Sequence, residues 1–146
     1  MALRAPIRST DTTAVYLPSD DALDEAATGR EAMDAYVGAR SLDPAPLRFH
    51  AGKTPSPATI RALTEHEVML TFGEGANVAH GLMLAAQLAL VKVEGLPEPT
   101  RELYCGRLRV TAAWLEEYLV GADIIFLGQA ARAWSTMDAE KKTRSG

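Results

Sequence analysis

Two short fragments of this sequence carry the residue types of well-known reaction centres. Gly52-Lys53-Thr54 has the ending of a phosphate-binding loop, and His66-Glu67 has the start of a zinc-protease helix. Each lacks a residue its chemistry needs. A phosphate-binding loop places a glycine five positions before the glycine of its Gly-Lys pair, so that backbone amides can wrap the phosphates. Leu47 stands there. A zinc helix places a second histidine one turn after the first, on the same face. That position is Leu70. Gly73-x-Gly75 fails as a dinucleotide fingerprint in the same manner, with Val78 in place of the third glycine.

The remaining candidates are groups without partners set by spacing. His50, His66 and His80 are the only histidines, and no ligand spacing links them. Cys105 is the only cysteine; Arg101 and Arg107 nearby would favour its thiolate, but no histidine is placed to act as its base. Glu116-Glu117 and Asp20-Asp21 are sequence neighbours, which on a helix point in different directions and cannot share a proton. Arg101, Arg107 and Arg109 suit either phosphate contact or surface ion pairing. The expectation is therefore no catalytic residue, no metal and no cofactor.

The elements that would position these groups read as follows. Residues 1–18 show no periodicity and contain Pro6 and Pro18, an extended arm. Ser19 or Asp20 offers a cap for helical spacing that runs to about Arg40, and Gly29 divides it into one kinked helix or two short ones. Leu47, Phe49 and Ala51 alternate with polar residues, as Ile60 and Ala62 do, around turn-forming Gly52 to Pro57. That pattern predicts a β-hairpin pairing 47–51 with 59–63. Thr64 and Glu67 form a capping box for the next helix.

A helix over roughly 76–93 is apolar on nearly every side, so Leu82, Leu84, Leu88 and Val91 are expected to be mostly buried. Residues 100–110 read as a connector. Thr111 caps a helix that bends at Gly121 and continues through Trp134. The expected fold is mainly α: a helical domain over 19–137, with a short β-hairpin near 47–63, an extended N-terminal arm over 1–18 and a polar tail over 138–146.

With 146 residues, 47% of them apolar and 23% charged, the chain suits one globular domain. A net charge of −4 disfavours bulk attraction to nucleic acid. MALRAPIRST has no apolar core after its arginines and does not read as a secretory signal. The apolar run from Val78 to Val91 is broken by His80 and Gln87 and falls short of the ~20 residues that cross a bilayer. Trp114, Tyr118, Phe126 and Trp134 are the expected protein interface, because large aromatics supply much of the energy of such surfaces, although they are also favoured core residues.

The phrases ALVKVEGLPEP (Ala89 to Pro99) and WSTMDAEKK (Trp134 to Lys142), in their order after PLRFHAGK and TIRALTEHE, resemble the tail assembly chaperones of tailed bacteriophages. The similarity spans roughly residues 46–142. It implies a non-enzymatic protein of the host cytoplasm that binds the tape measure protein or tail tube subunits; separately, the four aromatics taken with the apolar helix favour a homo-oligomer or a protein partner. The family has no diagnostic motif, so no residue role is carried over. A structural virion component of neck, tail or capsid remains open, as does a small helical inhibitor or regulator that binds another protein or DNA.

Overall fold

A computed structural model of the chain describes residues 11–73 and 77–137. Its centre is a three-stranded antiparallel sheet assembled from distant parts of the sequence. Strands β1 (Thr12–Val15), β2 (Ala58–Arg61) and β3 (Leu90–Val93) lie in the order β1-β2-β3. β2 is the middle strand because it can use both edges: Val15 pairs with Ala58, and Ala58 with Val93 on the other side. Its alternation is the expected one, with Ala58 and Ile60 buried and Thr59 and Arg61 half-buried. A register shift between Thr59 and Ile60 accommodates the β3 side.

Six helices are found among the described residues. Helices α1 (Glu25–Thr28) and α2 (Arg30–Val37) are separated at Gly29, whose φ of 94° only glycine adopts without strain. Helix α3 (Glu65–Phe72) starts at the expected capping box: Thr64 Oγ1 accepts from the Glu67 amide at 3.1 Å, and Glu67 Oε1 accepts from the Thr64 amide at 2.9 Å. Helix α4 (Val78–Ala89) runs directly into β3. A second sheet follows, the hairpin of β4 (Arg101–Tyr104) and β5 (Arg107–Val110). Thr111 then caps α5 (Ala112–Tyr118), and α6 (Gly121–Thr136) completes the described chain.

Two glycines let the helices approach closely. A Cβ on Gly81 of α4 would collide with the Thr71 carbonyl of α3, and one on Gly128 of α6 would collide with the Leu82 backbone of α4. The apolar interior gathers Val15, Ile60, Leu63, Leu115, Phe126 and Leu127, all but inaccessible to water.

These observations correct several expectations. With 44% helix, 18% strand and two antiparallel sheets among the described residues, the fold is α+β rather than mainly α. The hairpin of 47–51 with 59–63 does not form. Arg48 to His50 are extended, but they bond to the 22–24 segment: the Asp24 amide donates to the Arg48 carbonyl, the His50 amide to the Ala22 carbonyl, and Phe49 bridges Leu23. Period-two alternation reports which face a strand buries, not which strand lies beside it.

Within the described part of the N-terminal arm, Thr12–Val15 form strand β1; residues 1–10 lie outside the described residues, as does the 138–146 tail. The unbroken apolar stretch from Leu88 to Val91 hid the change at Leu90, where the expected 76–93 helix becomes β3. The 100–110 connector is a hairpin. Its turn residues, Cys105 and Gly106, have φ of 52° and 77°, as a type I′ turn needs. Neither Ser19 nor Asp20 caps a helix. Asp20 instead accepts from the Ala22 and Ser56 amides, while Asp24 caps α1. Leu88 is buried as expected, but Leu82, Leu84 and Val91 are only half covered.

Candidate protein-contact surfaces

Of the four aromatics expected at an interface, three are interior. Trp114 packs in the core 5.0 Å from Tyr118, and its buried indole N–H has no acceptor among the described residues. Phe126 stacks on Tyr36 at 5.6 Å, and Trp134 Nε1 donates to the Asp11 carbonyl at 3.2 Å, tying the end of α6 to the start of β1. Only Tyr118 reaches the surface. The aromatics therefore hold the fold, and a contact surface must be built from other side chains.

The polar candidates are mostly engaged. Arg101 donates to the Val91 carbonyl at 2.6 Å and pairs with Glu98. Arg109 pairs with Glu102 at 2.7 Å and lies 4.2 Å from the centre of the Tyr104 ring. Arg107 reaches Glu67 at 3.4 Å. Lys53 lies beside Asp21, and His50 Nδ1 lies 3.4 Å from Asp24. His66, His80, Cys105, Glu116 and Glu117 are exposed, and no three His, Cys, Asp or Glu side chains converge to hold a metal among the described residues.

Glu67 is the most constrained charge in the described chain. Its carboxylate is 2% exposed and takes two 2.9 Å bonds from Arg61. Burial works against its charge, but the Arg61 guanidinium, the Thr64 amide and Arg107 outweigh that cost and hold the carboxyl below its ordinary range. The group is thereby a structural clamp joining β2, α3 and β5.

Apolar side chains are also exposed, and two places hold several of them. The first flanks the N-terminal half of α4. A cleft of ≈ 740 Å³ is lined by Val78, Ala79, Leu82 and Met83 of α4 and by Leu119, Gly121, Ile124 and Ile125, with Glu116 its one charged residue. On the other side of Val78 and Leu82, a cleft of ≈ 420 Å³ is lined by Phe72, Gln129, Arg132, Ala133 and Thr136, among others. Val78 and Leu82 line both clefts, and each cleft also has residues of α6 in its wall. Val78 is 74% and Ile125 51% exposed.

The second surface is on the β4–β5 hairpin. Leu103 and Leu108 stand opposite each other, two residues either side of the turn, and are 76% and 60% exposed. They share the sheet face of Val110, which is buried, so the hairpin carries its apolar face beyond the core that anchors it.

No protein-family model matches the chain, and no curated protein or solved structure shows significant similarity to it. Among the described residues, no helix is long and apolar enough to cross a membrane.

Some of this surface had a signal in the sequence. Ile124 to Leu127 are four consecutive apolar residues on one helix, and at ~100° per residue they point all round it. One must therefore face outward, and it is Ile125. Leu103 and Leu108 had no such signal until the connector is known to be a hairpin.

Proposed function

We propose that this chain is a non-enzymatic assembly protein that acts by protein–protein contact, in the manner of a tail assembly chaperone of a tailed bacteriophage. The supporting observation is that exposed apolar side chains stand at two places, Val78 and Ile125 at the α4/α6 clefts and Leu103 with Leu108 on the hairpin, while Met69, Tyr118 and Val120 are exposed outside them. Scattered apolar residues are normal on any protein, whereas grouped ones mark contact sites. Two such sites on one small domain suit a protein that joins other chains. The setting comes from the sequence resemblance: the partner is the tape measure protein or a tail tube subunit, and the meeting takes place in the host cytoplasm.

The test is co-expression with the tape measure and tail tube proteins of the same gene cluster, followed by affinity capture. The chain is expected to retain one of them, and Leu103→Asp with Leu108→Asp is expected to lose it while remaining folded. A chain that captures neither protein, or that is a stoichiometric component of purified virions, would remove the chaperone reading.

A further inference from the structure

We infer that the open edge of β4 takes up an extended segment of the partner protein as a third strand of the hairpin sheet. This rests on the contact reading above and names how the Leu103–Leu108 surface recognises its partner. The inference begins with the backbone bonds of the hairpin. In an antiparallel pair, opposite residues alternate between exchanging their backbone bonds and pointing those groups away from the partner strand. The Thr111 amide donates to the Thr100 carbonyl at 2.9 Å, so Thr100 and Thr111 are a bonded pair. Along the register from there, Glu102 with Arg109 and Tyr104 with Arg107 are bonded pairs too. Arg101, Leu103, Leu108 and Val110 therefore direct their N–H and C=O groups outward. On β5 that outer edge meets the body of the fold, where the Val110 carbonyl accepts from Gln87 of α4. On β4 it is open: among the described residues nothing bonds the backbone groups of Arg101 or Leu103.

The groups left open specify the occupant. Paired donors and acceptors that recur every second residue, roughly 6.8 Å along a strand, are matched by another extended backbone. Strand edges are commonly blunted by a proline, a bulge or outstanding charges. Arg101 to Tyr104 include no proline and pair with β5 without a register shift, and Glu102 and Leu103 are exposed. The two charged side chains of β4 are engaged, Arg101 with Glu98 and the Val91 carbonyl and Glu102 with Arg109. Side chains then set the sequence of the segment. Leu103 and Leu108 make one face of the hairpin apolar, while Tyr104 and Arg107 lie on the other. Arg61 and Arg107 share the carboxylate of Glu67, so the ion pairs at the hairpin leave a positive charge over. The segment that fits alternates apolar residues, on the Leu103 side, with polar residues that include an acid.

The test uses short overlapping peptides covering the tape measure and tail tube proteins, with the full-length chain as binder. Peptides with the alternating pattern are expected to bind, and to slow hydrogen exchange of the Leu103 amide while leaving the Leu108 amide unchanged. A proline at an outward position removes one donor and leaves the hairpin's own bonds intact. Leu103→Pro should weaken binding at least about tenfold more than Leu103→Ala, which loses the leucine but keeps the amide. Leu108→Pro and Leu108→Ala, on the closed side, should bind alike. Urea midpoints show whether each variant is folded, and the exchange measurement on the wild-type chain needs no substitution.

Equal binding by the two variants at 103 overturns the inference, as does a Leu103 amide that exchanges as freely in the complex as in the free chain. Protection of that amide in the chain alone, rising with its concentration, assigns the edge to a second copy instead. If intact tail proteins are captured but neither they nor any peptide protects Leu103, strand addition falls and the contact function stands. If neither protein nor peptide is captured, both fall.

Discussion

The helical interior and the β4–β5 hairpin are attached to the same fold by opposite means. Helices α3, α4 and α6 meet where Gly81 and Gly128 allow backbone to touch backbone, and nearly everything around them is apolar. The hairpin buries only Val110 of its eight strand residues. It is held by directed polar bonds instead: Gln87 Nε2 to the Val110 carbonyl at 2.9 Å, Arg101 to the Val91 carbonyl, and Arg107 to Glu67. Close packing fixes a geometry by exclusion and tolerates no added atom. Polar tethers fix it by direction, and they leave the remaining side chains free for another purpose. The difference explains why the most exposed leucines are found on the hairpin.

The largest effect expected is a collision in the interior. Gly81→Val adds three carbons where even the first meets the Thr71 carbonyl, and the contact is with backbone, which cannot swing aside. A loss of roughly 3 kcal/mol or more is expected, the upper end for overpacking. Gly121→Ala is the control. It also adds a methyl to a helical glycine, but nothing lies within 4 Å of that methyl, so the change should be neutral or slightly stabilising. Urea denaturation of both variants separates crowding from helix propensity. Equal midpoints would mean that the interior is not interlocked.

The clamp at Glu67 joins the two regions, and its loss should be felt in both. Glu67→Gln leaves Arg61 and Arg107 without their anion, at a cost on the order of 3 kcal/mol for breaking a buried pair. The folded-state pKa is depressed, so the charge contributes stability above the unfolded-state value, roughly 4.3, and loses it as pH falls through the lower folded value. The stability curves of wild type and variant should therefore differ at neutral pH and converge in acid. Hydrogen exchange adds a regional readout: β4 and β5 amides should open faster in the variant while those in the centre of α6 change less. A gap that is constant across pH would show that the charge of Glu67 does not hold the clamp.

The same contrast governs what the sequence disclosed. The capping box at Thr64 and the cap at Thr111 were legible because the groups that satisfy them lie within three residues. The division of the first helical segment at Gly29 was legible for a like reason, a local backbone requirement. Strand partners were not, since β2 draws one neighbour from Thr12–Val15 and the other from Leu90–Val93, each far away in sequence. The aromatics are a poor guide to the surface. Trp114, Phe126 and Trp134 are valuable at an interface because burying them is favourable, and that reason serves a core equally well. The apolar residues of the two surfaces are smaller, Val78, Leu103, Leu108 and Ile125, and their types alone gave no hint.

The smallest expected effect is on the hairpin itself. Leu103→Ser with Leu108→Ser removes two apolar side chains from positions that are mostly in water already. Because they are open in the folded monomer, there is little burial to lose, and surface changes of this kind usually stay within about 0.5 kcal/mol. The cross-strand contact between them is worth a few tenths more, in the range of roughly 0.2–1 kcal/mol for such pairs. The tethers at Val110, Val91 and Glu67 are untouched, so the urea midpoint should barely move, and the slope should be unchanged. A large drop would mean that these leucines stabilise the fold, and the hairpin would then resemble the interior. With stability unaltered, any loss of partner capture by the same pair of positions belongs to the contact surface alone.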